Sequence, residues 1–488
     1  MAAMIPGGGR VRPWIDGPGG LREVWRVAYP LILSTASLSL MQFCDRMFLS
    51  WYSGVSIRAS LPAGILSFTM ICGFFAVAGY GGTFVAQYHG AGEPRGCGRA
   101  TAQAVLFAVL SWPVILLLFL PLGRIALRWT GHPPDVLAEE LVYFDITMWG
   151  SLGSMASTAV AGFFSGRGDT RTTMWAYMAG NLLNIPLDWL MIFGRLGVPE
   201  MGIRGAAIAT VIAGCVPPAI LFALYFGRRA NREFGTRATF RYDPVLFRRL
   251  LRFGLPSGVH LALDLTSFTL FVLLVGRLGP VAQAASNIAL SVNTLAFMPI
   301  LGLGIAASIV VGQYQGRREP EHAERGGWSA LMLGMVYMAA IGSTYLLFPE
   351  FYTRLFSGEV AGAFRTGDLL PTVRPLLVIL AVWSLADAAD IVLAGALKGA
   401  GDTRFVMAWS LAIAYGFFVT GEIVIVLVLE LGLIAAWLWT CAYIAVLAAG
   451  YLWRFKSGRW KSIDMLGRGR SDILPPPGRT GTDGLAVE

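Results

Sequence analysis

Five aspartates stand inside long apolar runs: Asp45, Asp188, Asp264, Asp387 and Asp390. A carboxylate at the centre of a bilayer costs about 2.5–3.5 kcal/mol on insertion scales, so it persists where it faces a cavity or finds a partner. In "GNLLNIPLDWL", Asn184 and Asp188 are four apart and share a helix face, and Pro186 between them interrupts the hydrogen-bond ladder. Oxygen-bearing side chains beside exposed carbonyls make a candidate small-cation site, and the alternative is an interfacial Asp beside a Trp belt. Asp45 is followed at once by Arg46 in "LMQFCDRMFLSW". Adjacent helical residues point about 100° apart, so the two do not form an automatic ion pair. Both could instead snorkel to an interface.

In "LPSGVHLALDLTSF", His260 precedes Asp264 by one helical turn, a spacing suited to holding or passing a proton. The alternative is that His260 only packs near an interface. Asp387 and Asp390, in "WSLADAADIVLAG", share a face three residues apart. Two like charges so close in low dielectric cannot both ionise cheaply, which is how a carboxyl comes to hold a proton near neutral pH.

The elements that position these groups follow from composition. Of 488 residues, 56% are hydrophobic and only 14% charged, with a mean hydropathy of +0.63. Runs such as 102–120, 203–226 and 406–429 match the roughly 30 Å hydrocarbon core at 1.5 Å rise per residue. The expectation is an all-α membrane protein with twelve spans, near 27–51, 59–86, 101–122, 141–164, 172–194 and 203–227, then 250–275, 282–311, 327–348, 374–396, 405–430 and 432–454. This divides the chain into a disordered cytoplasmic N-terminus (1–26), an N-lobe (27–227), a basic linker (228–249), a C-lobe (250–454) and a disordered cytoplasmic tail (455–488).

The formal charge of +9 does not indicate nucleic acid, because the arginines sit in short connectors between apolar runs. Every second connector is basic, as a cytoplasmic side requires, and an even number of spans places both termini there. Five cysteines lie mostly in apolar runs and read as small hydrophobic residues. Four scattered histidines form no zinc motif, and there is no G-x-S-x-G, H-E-x-x-H or Walker A sequence. The chain therefore reads as no enzyme, with no cofactor and no ATP site, and an ion gradient remains as its energy source.

Two motifs occur twice. "AQYHGAGEP" (Ala86–Pro94) pairs with "GQYQGRREP" (Gly312–Pro320), and "SGRGDTR" (Ser165–Arg171) with "KGAGDTR" (Lys398–Arg404). They follow the second and fourth span of each half, at nearly equal offsets, which indicates duplication of a six-span unit. Six is even, so the copies are parallel repeats about an axis along the membrane normal, with a central cavity between them. In G-x-G-D-T-R the glycines make a tight turn and Asp169 or Asp402 caps the next helix. The motif marks architecture and does not touch substrate.

These features together resemble the multidrug and toxic compound extrusion (MATE) family, of the NorM/DinF-like type. The resemblance rests on the 6+6 spans, the Pro30…Asp45 first span, both repeated motifs, "LLNIPLDW…GIRGAAIAT", the Pro256…Asp264 seventh span and "ADAADIVLAGALKGAGDTR". It implies export of organic cations or amphipathic drugs across the cell (inner) membrane in exchange for H⁺ or Na⁺. Carried over by position, Asp45, Asn184, Asp188 and Thr210 match the family's N-lobe cation site, a candidate Na⁺ site. Asp264 and Asp387 match the C-lobe acids of the NorM-like branch, where the seventh-span residue is typically Glu. His260 and Asp390 stand beside them, and Arg46 and Asp390 take no role from the family. With the cavity inside one chain, the expected state is a monomer in contact with membrane lipids, and no nucleic-acid partner is expected. Two rivals are a lipid-linked oligosaccharide flippase, which favours cationic cavity residues, and a polytopic membrane enzyme, which needs a clustered polar site at an interface.

Overall fold

A computed structural model describes residues 14–360 and 366–468. Among these, no strand occurs, and twelve long helices carry the fold: α1 (Leu21–Tyr52), α2 (Gly54–Gly90), α3 (Pro94–Trp129), α4 (Pro134–Gly166), α5 (Thr170–Phe193), α6 (Ile203–Tyr225), α7 (Pro244–Gly276), α8 (Pro280–Arg317), α9 (Pro320–Leu347), α10 (Thr366–Ala400), α11 (Thr403–Val428) and α12 (Gly432–Lys456). Ten described helices are long and apolar enough to cross a bilayer by those criteria alone. The exceptions are α4 and α5, diluted by Glu139, Glu140 and Asp145 in one and by Asn181, Asn184 and Asp188 in the other. Their neighbours carry them: α4 packs along α2 and α6, and α5 along α1 and α6.

Local chemistry sets the helix starts. Proline occupies the first position of α3, α4, α7, α8 and α9, where its missing N–H leaves nothing unsatisfied. Asp243 caps α7 by accepting from Val245 N and Leu246 N, both at 3.1 Å. Asp169 caps α5, accepting from Thr172 N at 3.3 Å. The equivalent Asp402 does not cap α11. Its Oδ2 instead takes the Nε of Arg454 at 2.6 Å, so a charge-assisted bond to α12 replaces the expected cap.

The helices form two bundles of six. The contacts between bundles come in related pairs: α1 lies on α8, α7 on α2, and α2 on α8. This is the pattern a two-fold axis along the membrane normal imposes on parallel repeats. The repeated motifs close the seam. Gln87 Nε2 donates to the carbonyl of Gly399 at 3.0 Å, and Gln313 Nε2 donates to that of Gly166 at 2.8 Å. Each glutamine belongs to one copy of the first motif, and each glycine to the other lobe's copy of the second. Nearby, Tyr80 donates to the Lys398 carbonyl at 2.8 Å. Thr35 donates to Met298 O at 3.0 Å. The backbones approach so closely that a Cβ on Gly90 would strike the Gln313 carbonyl, and one on Gly316 the Gln87 carbonyl. Among the described residues, side-chain hydrogen bonds between the lobes are confined to the half of the molecule nearer the termini. The lobes are therefore held together on that face.

Three segments depart from the sequence expectation. Residues 14–20 are packed: Gly19 N donates to the Tyr314 hydroxyl at 3.1 Å, and Ser329 Oγ donates to Gly19 O at 2.8 Å. The basic linker holds two short helices, Arg228–Phe234 and Thr236–Thr239. The chain after α12 is not loose as far as residue 468. It forms a strap that runs back across the terminus-bearing face, burying Trp460, Met465 and Leu466. Arg468 Nη2 pairs with Glu93 Oε1 of the N-lobe at 2.5 Å. The apolar residues dispersed through 460–466 do this, and their burial outweighs the polar composition around them. The Pro/Gly-rich remainder of the expected tail, like residues 1–13, lies outside the described residues.

Replacing Gly90 and Gly316 by Val should wedge the lobes apart on this face. In a background lacking the five native cysteines, a Ser308→Cys reporter should then react several-fold faster with a membrane-impermeant thiol reagent applied from the terminus side. An unchanged rate would contradict the close approach.

Candidate functional site

The N-lobe acids converge. Asp45 comes from α1 and Asn184 and Asp188 from α5, two helices packed side by side. Asn184 and Asp188 are fully buried, while Asp45 is half-buried. With its amide oriented to donate, Asn184 Nδ2 lies 2.7 Å from Asp45 Oδ1 and 3.0 Å from Asp188 Oδ2. This assignment follows from the network, since the opposite orientation sets oxygen against oxygen. The amide thus bridges the two carboxyls. Two carboxylates bridged by one amide in a buried site cannot both ionise cheaply. Asp188 Oδ1 is buried without a partner. Thr210 donates to Ala206 O at 2.9 Å, and no hydrogen bond among the described residues joins it to the acids. Arg46 is exposed and makes no ion pair with its neighbour.

The C-lobe holds a second cluster. His260 Nδ1 lies 3.2 Å from Asp264 Oδ2, the one-turn pair read from the sequence. The structure adds partners. Lys398 Nζ is 3.1 Å from the same Nδ1, and the Tyr451 hydroxyl is 3.1 Å from Nε2. Tyr451 itself donates to Val406 O at 3.3 Å. The consistent assignment has Nε2–H donating to Tyr451 and the Nδ1 lone pair accepting from the Lys398 ammonium. His260 is then a neutral relay between lysine and tyrosine, and it is no interfacial packing residue. Asp264 Oδ1 accepts from Ser410 of α11 at 2.9 Å, and 36% of its side chain stays accessible. Asp387 Oδ2 and Asp390 Oδ1 are buried without hydrogen-bond donors.

Each set is therefore assembled within its own lobe, and the two sets do not touch. Chemically they differ. The N-lobe set is two acids and an amide with no cation bonded to it, while the C-lobe set contains an internal ammonium. Lys398 was legible in sequence only as part of a basic connector. It points inward because α10 continues to Ala400, and a helical Cα–Cβ bond tilts toward the N-terminus, here back into the membrane. Glu422 was also missed. It is buried in α11 between two π-helical stretches and accepts from Thr440 at 2.8 Å. Its place in a continuous apolar run was the available signal. Among the described residues no group of three or more His, Cys, Asp or Glu is placed to bind a metal.

A fold of two duplicated six-helix bundles with acids inside each defines a class of membrane transporters. Residues 30–190 and 256–423 match the family model MatE, and the chain belongs to that family. It is 28% identical over 463 residues, 92% of this chain and 95% of the other, to the probable multidrug resistance protein NorM of Thermotoga maritima. It is 30% identical over 423 residues, 86% and 88% of the two chains, to that of Bradyrhizobium diazoefficiens. Among solved structures, an outward-facing multidrug resistance MATE family transporter superposes with a TM-score of 0.81 at 21% identity, covering 90% of this chain and 96% of that one. A MOP superfamily transporter from Pyrococcus furiosus, described as having a binding pocket of reverse polarity, gives 0.80 at 20% identity and the same coverage.

Asn184→Leu should leave helix content unchanged but set the two N-lobe carboxyls against each other. A transport rate in cells reduced roughly 10-fold, at equal membrane level, is the expected result, with partial recovery for Asn184→Gln. Wild-type transport by the Leu variant would remove the cluster from the mechanism.

Proposed function

We propose that this chain is a secondary multidrug efflux transporter that exchanges organic cations or amphipathic drugs for protons by alternating access. The observation that carries the reading is the Asp45–Asn184–Asp188 arrangement. One amide donates to both buried acids, which cannot both ionise cheaply, and it presents its N–H groups where a sodium ion would need oxygens.

Basic connectors on the closed face favour the cytoplasm as its side, and the likeness to an outward-facing relative supports reading this as the outward-facing form in a cell membrane. From outside, a proton taken up between Asp45 and Asp188 lowers the negative charge that holds a cationic drug, and the drug leaves. Return to the inward-open form requires breaking the Gln87–Gly399, Gln313–Gly166 and Tyr80–Lys398 contacts. The last couples seam and site directly, because Lys398 gives its carbonyl to Tyr80 and its ammonium to His260. Proton and drug must each bind the two forms with different affinity, or neither drives the other.

A flippase for pyrophosphate-linked lipids fits less well. The buried cation Lys398 is already engaged by His260 beside Asp264, and the remaining polar groups of both sets are mainly acidic. A site complete within one chain supports a monomer, with membrane lipid around it.

The test is purified protein in liposomes with imposed pH or Na⁺ gradients, following a fluorescent organic cation. A pH gradient should drive uptake, and a Na⁺ gradient at fixed pH should not. Asp45→Asn and Asp387→Asn should each lower the coupled rate 10-fold or more while inserting normally. Drive by Na⁺ alone would overturn the proton assignment, and full activity in both variants would overturn the roles of the acids.

A further inference from the structure

A second polar site lies outside both acidic clusters, on the closed cytoplasmic face. A cavity of about 380 Å³ opens between the starts of α7 and α11, with the strap after α12 as its third wall. Arg249, Arg252 and Arg404 line it, together with Phe253, Asp402 and Asp464. The two carboxylates are already engaged. Asp402 is paired with Arg454, and Asp464 Oδ1 accepts from Gly467 N at 2.8 Å. Arg249 is held in place by donating Nη1 to the Leu466 carbonyl. Gly467 has φ +68°, and a Cβ there would strike the Arg249 guanidinium, so the strap is shaped around this side chain. Arg252 and Arg404 are exposed, and no ion pair or hydrogen bond to a described residue occupies either guanidinium. Arg252 lies over the Phe253 ring, 5.8 Å from its centroid, which leaves its N–H groups available.

What descends from these two arginines decides the ligand. On α7 the exposed positions continue as Arg252, Leu255 and Val259, and on α11 as Arg404, Ala408 and Leu411. Both series follow i, i+3 or i+4, i+7 spacing, so each is a stripe running from the cytoplasmic surface into the membrane. The side chains of Leu255, Val259 and Leu411 are 48%, 43% and 46% exposed. In this half of the molecule the lobes are shut on each other, so an exposed apolar stripe meets acyl chains and not the central cleft. The helices α7 and α11 are neighbours, and both stripes start at the same cavity, from Arg252 and Arg404.

We propose that this cavity binds the phosphate headgroup of an anionic phospholipid of the cytoplasmic leaflet, with its acyl chains lying along the α7 and α11 stripes. Guanidinium groups match phosphate oxygens in pairs, and basic pockets between helices on the cytoplasmic side are suited to such headgroups. The walls come from α7, from the second G-x-G-D-T-R loop and from the strap that reaches Glu93 of the N-lobe. A bound lipid therefore bears on the seam between lobes while touching neither acidic cluster.

The test uses the full chain in detergent, titrated separately with dioctanoyl phosphatidylglycerol, dioctanoyl phosphatidylcholine and inorganic phosphate, with affinity read by thermophoresis. Phosphatidylglycerol should bind saturably, at least 10-fold tighter than phosphatidylcholine. Arg252→Ala/Arg404→Ala should weaken it roughly 10-fold or more, because each arginine contributes separately to an anionic headgroup. Arg228→Ala/Arg229→Ala, which removes two exposed charges elsewhere on the same face, should leave it unchanged. The unfolding temperature without lipid reports whether the double variant is intact, and Arg404→Ala alone serves if it is not. Equal affinity of wild type and variant for phosphatidylglycerol overturns the site. Inorganic phosphate binding as tightly as the lipid overturns the lipid assignment in favour of a free anion.

Discussion

Charge in a low-dielectric interior must be answered at once by a neighbour, and that constraint organises this molecule. A carboxyl inside the membrane has four outlets: a shared proton, an amide, a hydroxyl or an ammonium. The N-lobe uses the amide, in Asn184 between Asp45 and Asp188. The C-lobe uses the hydroxyl, in Asp264 with Ser410, and keeps an ammonium nearby on His260, in Lys398. Duplication supplied two similar bundles, and different answers to one electrostatic problem made them chemically unequal. In the N-lobe no cation of the chain is bonded to the acids, whereas in the C-lobe a cation is tethered to the chain.

The seam between lobes obeys a related rule for backbone groups. A carbonyl at the end of a helix lacks an intrahelical donor and needs one from elsewhere. Gly166 and Gly399 sit at or near the ends of α4 and α10, and each receives its donor from a glutamine of the opposite lobe. Glycine at these positions and at Gly90 and Gly316 lets the backbones come close enough for this. The bonds are few and polar, and they can be exchanged for water when the face opens. That is the energetic profile of a gate, which must be closed firmly enough to seal and weakly enough to release.

This gives the repeated motifs a role that their sequence only half discloses. Their spacing identified a duplication, and G-x-G-D-T-R read as a turn with a cap. The turn is there, and Asp169 caps as expected, but Asp402 answers to Arg454. The difference is tertiary: α12 brings an arginine to one copy that the other lacks. The strap shows the same limit. Tryptophan, methionine and leucine in a basic, glycine-containing segment carry no periodicity, so nothing local marks them for burial until the opposite surface is present.

By itself the sequence determined the number of spans, their grouping into two parallel halves and the identity of the five aspartates, because hydropathy, repeat spacing and the cost of charge in lipid are properties of the chain alone. Tertiary structure decided which of those acids meet, which face of the seam is shut and where Lys398 points. Those outcomes depend on helix rotation and on the direction of a side chain at a helix end. Both are set by packing against neighbours hundreds of residues away.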